Sequence, residues 1–256
     1  MSSLGTSITN RIERMHNAEN STDFVHGMMT DQRDGKIDHD TIKRNALIVI
    51  LSGIETIPDY ICSVLFYTLE TPEYFVRLRE EITSTFRSSR EISATSVQDL
   101  KFLKSCMHES LRLAPPFVGT LPRRVPTSTP GVTICNRFVP SGTTVGIHNW
   151  SITHSPQFWI DPEKFRPDRW MGDSRYTGDI REAFHPFGFG PRTCVARNLV
   201  IIEASFILAR LLFEFDMQLD SQGWKWPIRN GHLVPVKGPL FVKIMPRTCE
   251  STTMEP

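Results

Sequence analysis

The sequence predicts a mostly α-helical fold with a small β component. Apolar residues recur at helical spacing in several stretches, with cap and proline signals at their starts. Alternation suited to strands is confined to residues 132–147 and to a short run near 240–244. A glycine-rich loop at 187–196 leads into an apolar run over 199–215, which reads as a buried helix. With 256 residues the chain can bury one large core or two small ones. Its 29 basic and 28 acidic residues leave a net charge of +1, which gives nucleic acid no electrostatic hold. The five cysteines are scattered and contain no C-x-x-C pair, which argues against a disulfide framework or structural zinc and for a reducing compartment. The first ten residues are polar, so no signal peptide is expected. The longest apolar run, 46–51, falls short of the roughly 18 residues a membrane span needs, so the chain as written is expected to be soluble.

Taken in order, residues 1–37 read as a charged amphipathic piece closed by a turn at Gln32-Arg33-Asp34-Gly35-Lys36. Asp38 or Asp40 caps a helix expected over about 41–60, apolar enough from Ile42 onward to cross a core, with Pro58 marking a kink near its end. Gly53 inside that helix costs about 1 kcal/mol relative to alanine, so its presence needs a reason. Thr71-Pro72-Glu73 opens a second helix ending near Phe86, whose charged face (Arg77, Arg79, Glu80, Glu81) is expected in solvent. Ser96-Val97-Gln98-Asp99 resembles a capping box and opens a third helix over about 96–113, which stops before Pro115-Pro116. Glu109 and Arg112 stand three apart on one face of it. Residues 132–147 read as strand, turn and strand around Pro140-Ser141-Gly142. Beyond the 199–215 helix, Trp224 and Trp226 precede a turn at Asn230-Gly231, a strand at 240–244 and a tail from about 249 to 256.

The stretch Phe187-Gly188-Phe189-Gly190-Pro191-Arg192-Thr193-Cys194-Val195-Ala196 imposes several constraints on one cysteine. Two glycines allow a tight turn, an arginine stands two residues ahead, and a helix begins just after. Orphan N–H groups at a helix N-terminus favour a thiolate, which is a soft, electron-rich metal ligand. A cysteine that merely packs needs neither the glycines nor the arginine. The spacing F-x-x-G-x-R-x-C-x-[GA], filled by Phe187, Gly190, Arg192, Cys194 and Ala196, resembles the haem-ligand loop of the cytochrome P450 monooxygenases. Phe165-Arg166-Pro167-Asp168-Arg169-Trp170 resembles the same family's second signature, and Glu109-Ser110-Leu111-Arg112 its E-x-x-R pair.

The resemblance implies a cytochrome P450 fold, and the family's motifs appear in order from about Thr41 onward. It implies haem b, iron protoporphyrin IX, with Cys194 as axial iron ligand and Phe187 packed against the loop. Arg192 and Arg123 are implied to hold the two propionates, with Arg124 a near alternative to Arg123. Glu109, Arg112 and Arg169 are implied to interlock as a structural triad. Glu55 and Thr56 occupy the positions of an acid and threonine pair that delivers protons to bound oxygen, at a local opening of the helix which Gly53 would allow. Ser52 and Ile57 beside them depart from the residues usual there. Gly231, His232 and Leu233 are placed near substrate by the same likeness, while His148, His154 and His185 lack zinc spacing and read as loop or hydrogen-bonding histidines, His154 near the haem edge.

The implied reaction inserts one oxygen atom of O2 into an apolar organic substrate, with electrons from NADPH through a cytochrome P450 reductase. The style of 238–243 is similar to fungal enzymes of secondary metabolism. The likeness covers the family's C-terminal half, since a W-x-x-x-R helix and a membrane anchor are not found, so a truncated P450 domain over 1–256 is expected. Full-length members sit on the endoplasmic reticulum membrane, whereas the chain as written is expected in the cytoplasm. Two other readings stand beside the monooxygenase. One is a non-catalytic remnant that binds haem weakly or not at all. The other is a haem-thiolate enzyme that uses peroxide or isomerises its substrate without a reductase.

Overall fold

The computed structural model describes residues 24–220, 228–229 and 234–247. The chain divides into two compact units, Met1–Pro58 and Asp59–Pro256. In the first, helix α1 (Phe24–Arg33) is followed by the opening of helix α2 (His39–Glu70). Lys36 closes the intervening turn on Asp31 and Asp34, each at 3.0 Å. Of the two candidate caps, Asp38 takes the role: its Oδ1 accepts the Thr41 N–H at 2.6 Å, and these hydrogen bonds hold its carboxyl below the usual carboxylate range. The stripe of Ile42 and Ala46 is buried together with Met29. Ile48, Leu51 and Ile54 are exposed, so this half of α2 does not cross a core as its composition suggests. A ten-residue α1 offers only one apolar stripe, and α2 matches it with only one of its own.

Helix α2 runs ten residues beyond its expected end and keeps Pro58 in its interior. It is long and apolar enough, by length and composition alone, to cross a membrane. Counting only uninterrupted apolar residues misses this, because isolated polar residues break the run without breaking the helix. In the second unit its remainder carries buried Tyr60, Val64 and Leu65 into the main core.

That core is helical. Helix α3 (Pro72–Thr85) contributes Leu78 and Ile82, and helix α4 (Lys101–Leu113) contributes Leu103, Cys106, Met107 and Leu111. The later helix α6 (Arg197–Glu214) adds Ala204, Leu208, Ala209 and Leu212. Burying each such large apolar side chain stabilises the fold by about 1.5–3 kcal/mol. Two expectations fail around α4. Ser96–Asp99 forms a separate 3-10 turn, and Leu100 is extended between it and the helix. The Ser96 hydroxyl serves this turn by bonding the Glu91 carbonyl at 2.8 Å. The cap of α4 comes instead from Glu81 on α3, whose carboxylate accepts the N–H groups of Phe102 at 2.7 Å and Leu103 at 2.8 Å. The charged face of α3 is accordingly not simple solvated surface. Arg77 pairs with Asp168 and Arg79 with Asp216, each at 2.5 Å, so that face anchors three other segments.

Among the described residues the β component is four two-stranded antiparallel ribbons. Strands β1 (Arg123–Arg124) and β4 (Thr144–Val145) pair, as do β2 (Gly131–Ile134) and β3 (Arg137–Pro140). The β2–β3 turn falls on Cys135 and Asn136, both with positive φ (48° and 61°), as a two-residue hairpin requires. The expected turn at Pro140-Ser141-Gly142 is real but links β3 to β4. Between β4 and α6 lies helix α5 (Asn149–Thr153), followed by a long segment of 3-10 turns. Strand β5 (Phe215–Leu219) leaves α6 directly and pairs with β8 (Val242–Pro246), two residues later than the strand the sequence suggests. Strands β6 (Ile228–Arg229) and β7 (Val236–Lys237) pair, while their turn, Trp224, Trp226, Gly231, His232, Leu233 and the tail at 249–256 lie outside the described residues. Lys237 ties β7 inward, its Nζ donating to Asp59 at 2.6 Å and to Ser63 at 2.9 Å on α2.

Candidate functional site

Glu109 stands on α4 with no exposed side-chain surface, so its carboxylate must find all its partners inside the protein. Arg112, one turn on, donates Nε at 3.1 Å and Nη2 at 2.9 Å. The turn Pro167–Met171 brings up Arg169, whose Nε reaches the carboxylate at 3.0 Å, and Trp170, whose indole N–H reaches it at 2.9 Å. The backbone N–H of Arg166 completes the set at 2.9 Å. The structure thus brings Glu109, Arg112 and Arg169 together, all fully buried.

One carboxylate does not neutralise two buried guanidinium groups. Asp179 supplies the second, 2.5 Å from Arg169, and its side chain is also fully buried. Sequence reasoning missed Asp179. Charge balance signals that a fourth, acidic partner exists, but nothing in the sequence gives its position. The spare donors of the two arginines go to main-chain carbonyls: Arg112 to Thr153, Pro162 and Lys164, and Arg169 to Ile160. The segment 153–181, which has almost no regular structure of its own, is therefore fastened to α4 through side chains.

From this scaffold an aromatic series leads toward the glycine-rich loop. Trp170 lies 4.8 Å from Phe184 between ring centroids, and His108 of α4 lies 5.4 Å from Trp170. Phe187 then packs on the main core. Gly188 (φ 78°) and Gly190 (φ 74°) take the left-handed region, which is why glycine stands at both positions. A Cβ on either would meet nothing closer than 3.7 Å, so the requirement is conformational and not one of space. The loop closes when the Cys194 N–H donates to the Phe187 carbonyl at 2.8 Å, and Thr193 Oγ1 donates to the Gly190 carbonyl at 2.8 Å. Ala196 is the N-cap of α6, so Cys194 sits just outside the first turn of that helix.

Cys194 is exposed, and so is Arg192. Beside them Phe189 is 82% exposed, Val195 69% and Leu199 51%, a concentration of apolar surface that a soluble face seldom presents. Among the described residues no group of three or more His, Cys, Asp or Glu side chains gathers to hold a metal ion. A lone thiolate holds iron durably only when another group supplies the remaining ligands. A flat apolar macrocycle bearing its own metal and two carboxylates matches the exposed sulfur, the apolar surface and the exposed Arg192. The residues present fit haem.

The other expected residues stand as follows. Arg123 and Arg124 are both exposed in β1, on opposite faces because neighbours in a strand alternate. The Arg123 guanidinium donates to the Pro122 carbonyl at 3.0 Å. Glu55 is exposed on α2, and Thr56 donates its hydroxyl to the Ser52 carbonyl at 2.6 Å. The helix is unbroken from Ser52 to Thr56, so the expected local opening beside Gly53 is not seen: the Thr56 hydroxyl bonds back onto the turn before it and leaves the backbone ladder intact. Glu55 and Thr56 belong to the first unit and Cys194 to the second. His154 stacks on Trp150 at 3.6 Å, and burial holds its pKa below the ordinary histidine value.

A buried charge scaffold stands beside a glycine-constrained, outward-facing cysteine loop, an arrangement able to hold a prosthetic group through one thiolate. Comparison with known proteins makes this specific. The family model for cytochrome P450 matches residues 3–244. The cytochrome P450 monooxygenase tpeC of Talaromyces stipitatus is 36% identical over 90% of this chain and 45% of its own length. The monooxygenase atr2 of Stereocaulon alpinum is 38% identical over 78% of this chain and 39% of its own. The monooxygenase astJ of Aspergillus oryzae is 33% identical over 95% of this chain and 49% of its own. The chain belongs to the cytochrome P450 family, and it spans about half the length of the curated relatives it matches.

Proposed function

We propose that the chain carries the thiolate side of a haem b monooxygenase, which inserts one oxygen atom of O2 into a small apolar organic molecule of fungal secondary metabolism. NADPH supplies the electrons through a cytochrome P450 reductase, at the endoplasmic reticulum membrane. The observation that carries this reading is the exposed Cys194 in a loop set by two left-handed glycines and closed by the Cys194 to Phe187 hydrogen bond. Haem bound there supplies oxygen activation. In this reading Cys194 ligates the iron, Gly190 and Phe187 shape the loop, and Ala196 keeps the helix start narrow. Arg192 and Arg123 pair with the propionates, bidentate geometry favouring arginine over lysine. Glu55 and Thr56 hold and pass protons, which requires the Thr56 hydroxyl to exchange its Ser52 acceptor for water or substrate oxygen. Glu109, Arg112, Arg169 and Asp179 retain the fold under the loop and take no part in chemistry.

A second reading is favoured by the exposure of Cys194. Oxygen activation needs water excluded, and an open thiolate face favours haem binding without turnover. One experiment separates them. The purified chain, given hemin and reduced under carbon monoxide, is expected to show the red-shifted band of a thiolate-ligated haem. Cys194→Ala is expected to abolish that band and Cys62→Ala to leave it, and equal effects would contradict the assignment. Product formed with added reductase and NADPH supports the monooxygenase; product with peroxide alone supports the reductase-independent enzyme; a band without product under either supports the binding-only reading.

A further inference from the structure

A cavity of about 460 Å3 lies behind the cysteine loop, bounded by α4, by the start of α6 and by Phe184 to Gly188, and Cys194 is not among its walls. Its size is that of a pocket for a small organic molecule. Its cationic and imidazole side chains are Lys104, His108, His185 and Arg197, and among the described residues no aspartate or glutamate lines it. Among the described residues neither Lys104 nor Arg197 has a carboxylate partner; Lys104 Nζ donates to the Gln98 carbonyl instead. The remaining wall is largely apolar, with Met107, Phe184, Phe187, Ile201 and Ile202. Met107 is buried while Arg197 is exposed, so the cavity is apolar at depth and cationic toward solvent. The positive charge is felt inside: burial, then Arg197 and Lys104, hold the His108 pKa below its ordinary value, which keeps that imidazole neutral and able to donate one hydrogen bond.

We propose that this cavity binds a small organic carboxylate, with an apolar ring or chain against Met107, Phe184 and Ile201 and the carboxylate held at the mouth by Lys104 and Arg197. Two cations with no carboxylate partner among the described residues, set over an apolar recess, select against neutral ligands of the same shape, because such a ligand leaves the cations without the charge-assisted bonds they can make. The site does not involve Cys194, so the inference stands whether or not the chain takes up haem. Phe187 is shared, however: it lines the cavity, and its carbonyl accepts the Cys194 N–H.

The test is calorimetric titration of the purified full chain with 1-naphthoate and with its neutral isostere 1-naphthamide. The carboxylate is expected to bind about tenfold tighter or better, a factor that one good charge-assisted contact supplies. Lys104→Met with Arg197→Met is expected to bring the two ligands within about twofold of each other, while Lys101→Met, exposed on the same helix outside the cavity, preserves the preference. Ile201→Trp is expected to block both ligands, and Cys194→Ala to block neither. If the double variant fails to fold, as read by circular dichroism, Lys104→Met alone is expected to reduce the preference about threefold. Equal affinity for the two ligands in the parent chain, an effect of Lys101→Met as large as that of the double variant, or undiminished binding in Ile201→Trp overturns the proposal.

Discussion

The scaffold around Glu109 and the loop around Cys194 are separated by only a few side chains, yet they are built on opposite terms. The scaffold is closed: four charged side chains without exposed surface satisfy one another and six backbone carbonyls or N–H groups besides. The loop is open: its backbone is tightly bonded and Phe187 packs on the core, but its thiol, Phe189 and Val195 face outward. The contrast separates two kinds of motif residue. Those of the scaffold complete their bonding within the chain, whereas those of the loop bond mainly through their backbone and leave the thiol outward, where the proposed haem would meet it.

The largest expected effect tests the closed half. Glu109→Gln leaves two buried arginines facing one remaining carboxylate and should cost about 3–5 kcal/mol in denaturant unfolding; a loss under about 1 kcal/mol would break the contrast. The next effect asks whether α4 needs its borrowed cap. Glu81→Ala strips two N–H groups of their acceptor and should cost about 1–2 kcal/mol, while Glu80→Ala, exposed beside it, should cost almost nothing. A smaller effect probes the link between the halves. The folded-state pKa of His108 is depressed, so the stability its neutral form contributes is present above the unfolded value near 6.5 and is lost as pH falls from there through the folded value. His108→Phe should flatten that part of the stability profile between pH 7 and 5.5, measured by thermal unfolding. The smallest effect tests the open half: Cys194→Ala without haem should change stability by less than about 0.5 kcal/mol, because the thiol packs against little.

What the sequence made legible follows the same division. The loop could be read because its requirements are local: two glycines, an arginine and a cysteine at fixed offsets describe one turn. Glu109 and Arg112 could be read as a helical pair, and Arg169 through resemblance, but Asp179 could not, since its place is set by the path of a segment without regular structure. The cap of α4 was misread for a related reason. Ser96 to Asp99 carries the right letters, but a carboxylate from α3 competes for the same N–H groups and prevails, being charged and brought in by tertiary packing. The hairpin turn at Cys135-Asn136 escaped notice because cysteine rarely takes positive φ, and the full length of α2 because Pro58 reads as a kink near a helix end.

The graded accessibility of the cysteines gives the molecule a built-in reporter. Cys106 is sealed in the core, Cys62 is half covered, and Cys135 and Cys194 are open to reagents. A thiol-specific dye should therefore label two of these four sulfurs quickly. If Cys194 ligates iron as proposed, haem would withdraw one of that fast pair, and the surviving label of the two would sit at the tip of the β2–β3 hairpin.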